Sequence, residues 1–178
     1  EQGFRVVISH GGGPQISEML SRLNIQSEFV GGLRVTTAEI ASVVATVLSG
    51  EVQRTLVTAL NTNELPAVGV SGEDAKIFTS TRLVDKEFEL GLVGTVAFIN
   101  PKLIHVLLDN GYIPVVSPVS STRDGESLNV NADTAAGSLA GALGAQRLIL
   151  MTDVDGVFAA YPDPDSLLSE MTLAQVCE

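Results

Sequence analysis

Two hydrophobic periods trade places along this chain. Arg5-Val6-Val7-Ile8 is a β-favouring run that enters Ser9-His10 and then three glycines, Gly11-Gly12-Gly13. From there the period changes: Ile16, Met19, Leu20 and Leu23 stand at the i, i+3, i+4 and i+7 positions of a one-faced helix. Pro14 suits the first position of that helix, where its missing N–H is no loss. Thr36 and Glu39 then have capping-box spacing ahead of Ile40, Val43, Val44, Val47 and Leu48, and Gly50 is placed to close the helix. A further helical stretch from Val52 to Leu60 leads into the apolar strand Ala67-Val68-Gly69-Val70. Ile77 to Val84 and Glu89 to Phe98 read as antiparallel strands. Asn100-Pro101 opens a helix carrying Leu103, Ile104, Leu107 and Leu108, which ends at Asp109-Asn110-Gly111. The strand Ile113 to Val116, a polar loop, a helix from Asp133 to about Leu143 stopped by Gly144, and the strand Arg147 to Met151 follow. Thr172 and Gln175 have capping-box spacing once more.

Strands nearly continuous in Val, Ile and Leu, separated by helices, predict an α/β fold with a mainly parallel sheet covered by helices on both faces. Ligands of such sheets lie beyond the carboxyl ends of the strands. His10-Gly11-Gly12-Gly13, Ser71-Gly72, Ser117-Pro118 and Thr152-Asp153 each follow a predicted strand, so they are expected along one rim.

Composition narrows the chemistry. A hydrophobic share of 45% with 17% charged residues over 178 positions describes a globular domain with a real core. The formal charge of −11, with ten Lys and Arg, argues against nucleic acid as a partner. An anionic ligand would have to rely on helix N-termini, glycine amides and a few chosen cations. The most apolar long run, Ala132 to Met151, carries Asp133, Gln146 and Arg147, so no membrane span is expected. One cysteine, Cys177, leaves no internal disulfide and fits a cytoplasmic setting. The chain starts without Met just before a strand and stops where a helix begins, which reads as an internal fragment.

The glycine run is the leading candidate site. Glycines let a backbone wrap a ligand with N–H groups inward, and the helix that follows adds its positive end, so a phosphate or carboxylate belongs there. Other glycine motifs fail: a dinucleotide fingerprint needs glycine where Ile16 stands, and no glycine precedes a lysine as in a P-loop. A His-Gly-Gly-Gly oxyanion hole lacks its nucleophile elbow, since Gly69-Val70-Ser71-Gly72 continues into Glu73, and His105 has no evident acid partner. In Asn129-Val130-Asn131-Ala132-Asp133 one polar residue is an ordinary helix cap. Equally, strand alternation points Asn129 and Asn131 the same way, toward a shared ligand. Arg34, in Gly31-Gly32-Leu33-Arg34-Val35-Thr36, is either a surface ion pair or a planar fork for a carboxylate. Asp153-Val154-Asp155-Gly156 is either a turn or part of the ligand rim.

His10-Gly11-Gly12-Gly13-Pro14, Gly32-Leu33-Arg34-Val35-Thr36, Gly91-Leu92-Val93-Gly94, Asn129-Val130-Asn131-Ala132-Asp133 and Thr152-Asp153-Val154-Asp155-Gly156 together resemble the amino-acid kinase family over essentially the whole chain. Within it, they resemble the members that phosphorylate N-acetyl-L-glutamate. The resemblance implies a three-layer sandwich with a β-hairpin lid around Gly91 to Gly94. Residues 1–178 would form one incomplete domain, with 1–116 mainly the amino-acid-substrate half and 117–178 the start of the nucleotide-binding half. The implied reaction moves a phosphoryl group from ATP, accompanied by Mg²⁺, to the side-chain carboxylate of N-acetyl-L-glutamate in arginine biosynthesis. No tightly bound cofactor and no resident metal are implied. By position, Gly12 and Gly13 would hold the reacting carboxylate and the transferring phosphoryl group, with Gly12 taking part in catalysis. Arg34 and Asn129 would grip the acylated amino acid, and Asp133 would orient the catalytic lysines. Asp153, Val154, Asp155, Gly156, Val157 and Phe158 would line the nucleotide pocket. Arginine as a feedback inhibitor and a homo-oligomer, dimer or hexamer, are also implied. The family's two catalytic lysines have no counterpart among Lys76, Lys86 and Lys102, so residues 1–178 alone are expected to turn over negligibly. A sister kinase for an aminoadipate derivative and a non-catalytic arginine-sensing domain of a synthase are the alternatives.

Overall fold

The computed structural model describes residues 3–160 and 162–176; Cys177 lies outside them. The chain divides into two units, Glu1–Leu148 and Ile149–Glu178.

In the first unit the β-favouring run contributes the short strand β1 (Ile8–Ser9), and the period change after it produces helix α1 (Gly13–Arg22). This helix opens at Gly13, so Pro14 stands one residue further in than its spacing suggests. Ile16 and Leu20 are its buried stripe, whereas Leu23 lies past the last turn and is exposed. A tight hairpin of β2 (Phe29–Val30) and β3 (Leu33–Arg34) follows. Its two turn residues, Gly31 and Gly32, have φ of +55° and +79°. Positive φ at both positions matches the twist of the flanking strands and is natural to glycine.

Helix α2 (Ala38–Thr46) passes through a π-helical turn, Val47–Val52, into α3 (Gln53–Thr62). Here two expectations are corrected. Thr37, and not Thr36, is the cap: its hydroxyl accepts from the Ile40 N–H at 3.2 Å. Gly50 does not close the helix, because the wider π turn absorbs it, with Val47 and Leu48 of that turn held in the core. The resulting helix, Ala38–Thr62, is long and apolar enough to cross a membrane, with mean hydropathy 1.2. Its apolar stripe of Ile40, Val44, Val47 and Leu48 is already buried against α1 and Val119.

Then come β4 (Ala67–Ser71), β5 (Phe78–Arg82), β6 (Val93–Ile99), α4 (Lys102–Asp109), β7 (Ile113–Ser117), β8 (Val119–Ser121), β9 (Ser127–Val130) and α5 (Ala132–Leu143). A parallel sheet of order β1-β7-β4 pairs Ile8 with Val115 and Gly69 with Val115. The antiparallel reading of β5 and β6 holds, although β6 begins at Val93 and not at Glu89. They close a four-stranded barrel with β9 and β8. The expected polar loop before α5 is therefore an antiparallel hairpin, with β8 paired to β9 through the register Ser120–Leu128. Val116, Val70, Phe78 and Ile77 form one core with Ile104 of α4 and Ala135 and Leu139 of α5. Gly144, at φ +60°, ends α5 as its spacing predicts.

Arg147 to Met151 is not a strand: Ile149 and Met151 are 78% and 96% exposed, and the run pairs with nothing among the described residues. An apolar run becomes a strand only beside an edge that can take its hydrogen bonds. The second unit holds β10 (Val157–Phe158), paired antiparallel with β11 (Leu167–Leu168), and a last turn α6 (Leu173–Val176). Its capping box is reciprocal as expected: Thr172 N–H donates to Gln175 Oε1 at 2.8 Å, and Gln175 N–H to Thr172 Oγ1 at 3.4 Å.

Candidate functional site

Because β1, β4 and β7 run parallel, their carboxyl ends share an edge. His10 N–H donates to Val116 O at 3.2 Å and Gly72 N–H to Ser117 O at 3.1 Å, tying His10-Gly11, Ser71-Gly72 and Ser117-Pro118 together. Three of the four expected rim segments thus meet in the first unit. Thr152-Asp153 belongs to the second.

Two helices begin at the glycine run. Gly12 is the cap residue of α1 and has no side chain to offer, so the first-turn donors of Gly13 and Gln15 lack a side-chain partner among the described residues. A Cβ on Gly11 would stand 3.2 Å from Ala132 Cβ, which brings the first residue of α5 against the same loop. Two positive helix ends on one glycine shelf favour an anion. Gly12 has a second reason to be glycine: a Cβ there would lie 2.9 Å from Leu48 and 3.0 Å from Val52 of the π turn. A Cβ on Gly13, by contrast, would meet nothing within 4 Å. The π turn is anchored under the shelf by Ser49, 2.8 Å from the Ser117 hydroxyl, and by Gln53, whose Nε2 donates to Val70 O and Val115 O.

Arg34 is the cation of this site. It is 93% removed from solvent, since its residual exposure is 7%. Its guanidinium donates to Ser27 Oγ at 2.5 Å, Ser17 Oγ at 2.8 Å and Gly13 O at 3.4 Å, and it lies 4.4 Å from the centre of the Phe29 ring. All these partners are neutral, and no carboxylate pairs with it among the described residues. Burial pushes its pKa below the usual arginine value, and it remains a cation. A buried charge held only by neutral acceptors is costly unless an anion completes it. The surface ion pair considered from the sequence is thereby ruled out.

Asn129 and Asn131 part company. Asn131 Oδ1 caps α5 by accepting from Thr134 N at 3.0 Å, so its side chain serves the helix and does not join Asn129. Asn129 Nδ2 instead donates to Thr36 Oγ1 at 3.2 Å. Asp133 is exposed in the first turn of α5, without a hydrogen-bond partner among the described residues. In the second unit Asp153, Val154, Asp155 and Gly156 form bends, with Val154 N–H donating to Thr152 Oγ1 at 3.3 Å, and Val157 and Phe158 form β10. No cluster of three metal-ligating side chains occurs among the described residues.

Sequence reasoning missed the seat of Arg34 (Ser17, Ser27 and Phe29) and the role of Thr36. For Thr36 a signal existed: alternation from Arg34 puts residue 36 on the same side of the strand.

His10 is 9% exposed, and its Nδ1 lies 3.1 Å from Gly11 O while Nε2 is buried without a partner among the described residues. Burial pushes its pKa below the ordinary 6.5, against a smaller opposing effect of the Gly11 carbonyl. The unfolded chain therefore takes up a proton that the folded one resists, and stability falls as pH drops through 6.5. Thermal melts between roughly pH 7.5 and 5.5 are expected to show this loss, and His10→Asn, which keeps a donor toward Gly11 O, to reduce it. An unchanged pH slope in the variant would assign the loss to other groups.

The described residues thus bring together, at the carboxyl edge of a parallel sheet, a glycine shelf, two helix N-termini and a buried guanidinium. The chain belongs to the amino acid kinase family, whose sequence pattern matches residues 1–178. It is 50% identical over 178 residues to the acetylglutamate kinase of Acidothermus cellulolyticus, covering 96% of this chain and 60% of that protein. It is 51% identical to the acetylglutamate kinase of Nocardioides, covering 56% of it, so the chain spans little more than half the length of these curated relatives. Among solved structures, smu.665 of Streptococcus mutans superposes with a TM-score of 0.80 at 31% identity, over 86% of this chain and 62% of that one. N-acetylglutamate synthase of Neisseria gonorrhoeae, solved with coenzyme A and N-acetyl-glutamate, shares the fold with a TM-score of 0.78 at 24% identity, over 94% and 38% of the two chains.

Proposed function

We propose that the protein containing this chain is a kinase that transfers the γ-phosphoryl group of MgATP to the side-chain carboxylate of N-acetyl-L-glutamate, in the cytoplasm, for arginine biosynthesis. The observation that carries this reading is Arg34, a buried guanidinium with neutral partners only, beside an uncapped glycine shelf. Relatives about 50% identical that are named acetylglutamate kinase support the choice of substrate.

In this reading one substrate carboxylate pairs with Arg34 and the other lies over the donors of Gly12 and Gly13. A carboxylate oxygen attacks the γ-phosphorus, the bond to the bridging oxygen breaks, and ADP leaves with its electron pair. The transfer depends on positioning and on neutralising charge that builds up on the phosphoryl oxygens, which preorganised N–H groups do without reorganising. Asn129 grips the acylated amino acid, and Asp133 at the start of α5 orients cationic groups. The bends and strand from Asp153 to Phe158 line the nucleotide pocket. The three-layer sandwich and the lid around Gly91 to Gly94 belong to the same proposal.

The test is an assay of the protein at the length of its relatives with MgATP, trapping the acyl phosphate as its hydroxamate. N-acetyl-L-glutamate is expected to yield product, and the homologue longer by one methylene to yield far less. Preference for the longer acid would make it the aminoadipate kinase, and trapping from neither would overturn the reading.

A further inference from the structure

Thr36 is fully buried, and each of its polar groups is used. Its hydroxyl donates to Arg34 O at 2.7 Å and accepts from Asn129 Nδ2 at 3.2 Å. Its N–H donates to Leu90 O at 3.0 Å, and its carbonyl accepts from Leu92 N–H at 2.7 Å. One residue thus ties together β3, β9 and the segment before β6. The approach to that segment is close: Gly91, at φ +70°, would place a Cβ 2.3 Å from Thr36 O. No other side chain than glycine fits there without moving the backbone. Thr36 also borders a cleft of about 470 Å³ lined by Thr37, Gly91, Arg82, Glu89 and Glu126 among others, a lining that includes neither Arg34 nor Asn129.

We infer that Thr36 is a positioning residue that sets Arg34 and Asn129 in one geometry for the ligand, an inference that rests on the proposed function. The proton count supports it. A hydroxyl has one proton, and here it is directed at Arg34 O, so toward Asn129 it accepts. This fixes the flip of the Asn129 amide: Nδ2 faces Thr36, leaving Oδ1 and the second N–H of Asn129 for a ligand. An acceptor beside a donor complements an N–H adjoining a carbonyl or carboxylate, as an N-acylated amino acid presents. The hydroxyl itself touches no substrate. Its removal leaves the Asn129 amide free to turn over and the Arg34 carbonyl without its side-chain donor.

Thr36→Val preserves shape and deletes the hydroxyl, whereas Thr36→Ser keeps it. In the protein at the length of its relatives, Thr36→Val is expected to raise the KM for N-acetyl-L-glutamate about tenfold, the scale of one buried hydrogen bond, and to leave that for MgATP nearly unchanged. Thr36→Ser is expected to restore the KM. Equal effects on both substrates, no effect on either, or failure of the serine rescue would overturn the inference. If wild type shows no turnover of N-acetyl-L-glutamate, it is the functional reading that fails, and a substrate-free measurement decides the role of Thr36. In ¹H–¹⁵N spectra of the wild-type protein the Asn129 side-chain N–H that faces Thr36 is expected to exchange with water more slowly than an exposed asparagine amide. Exchange at the rate of an exposed asparagine would sink the proposal without any variant having to fold.

Discussion

Arg34→Ala is expected to raise the KM for N-acetyl-L-glutamate by well over tenfold and to leave that for MgATP nearly unchanged. Removing one partner of a desolvated charge pair costs roughly 2–5 kcal/mol. An exposed pair would lose about 1 kcal/mol at most. Arg34 is 7% exposed and among the described residues donates only to Ser17, Ser27 and Gly13 O, so under the proposed function the substrate carboxylate is its anionic partner. These bonds also hold the β2–β3 hairpin to the first turns of α1, so some loss of thermal stability accompanies the variant. Arg34→Lys separates the two effects. An ammonium keeps the charge but cannot hold Ser17 and Ser27 while presenting two parallel donors, so rescue is expected to be partial. Steady-state kinetics with both substrates varied decide the matter: equal changes in both KM values would make Arg34 a structural residue.

Gly13→Ala is expected to lower kcat/KM by about a hundredfold, the scale of displacing reacting groups by an ångström, and to leave the melting temperature unchanged or slightly raised. The added methyl meets nothing within 4 Å in the fold. In a helix, alanine is favoured over glycine by roughly 1 kcal/mol. A Cβ in the first turn leans back toward the helix N-terminus, which is where the anion would sit. Gly12→Ala makes the contrast, because its Cβ would press on Leu48 and Val52 of the π turn at 2.9 and 3.0 Å. That variant is expected to lose stability as well as activity. Full activity of Gly13→Ala in an initial-rate assay would reduce the glycine run to a turn.

Much of the fold was legible before any coordinates. The stripe of Ile16 and Leu20, the strand from Ala67, the helix over Ile104 and the stop at Gly144 each follow from local period and local backbone preference. The glycine shelf was legible for the same reason: strand, glycines and helix are contiguous in sequence. Arg34 could be singled out as one of few cations, but whether it was a surface ion pair or a carboxylate fork stayed open. Burial is a property of what packs over a residue, and Phe29, Ser17 and Ser27 reach Arg34 only after the hairpin folds onto α1.

The same distinction explains the errors. Thr36 and Thr37 are adjacent and chemically alike, so spacing assigned the cap to the first. The structure gives the cap to Thr37, because Thr36 is drawn inward by Leu90, Leu92 and Asn129, residues more than fifty positions away. Gly50 reads as a helix stop by propensity, yet the packing of Val47, Leu48 and Gln53 carries the helix through a π turn. Arg147 to Met151 has the composition of a strand and no edge to pair with among the described residues. Sequence alone thus marked most of the helices and the contiguous strand, glycines and helix of the shelf, because backbone sterics and side-chain period act over a few residues. Tertiary structure alone decided which side chains are desolvated and which partners share a proton, because those free energies depend on atoms that the chain brings together only on folding.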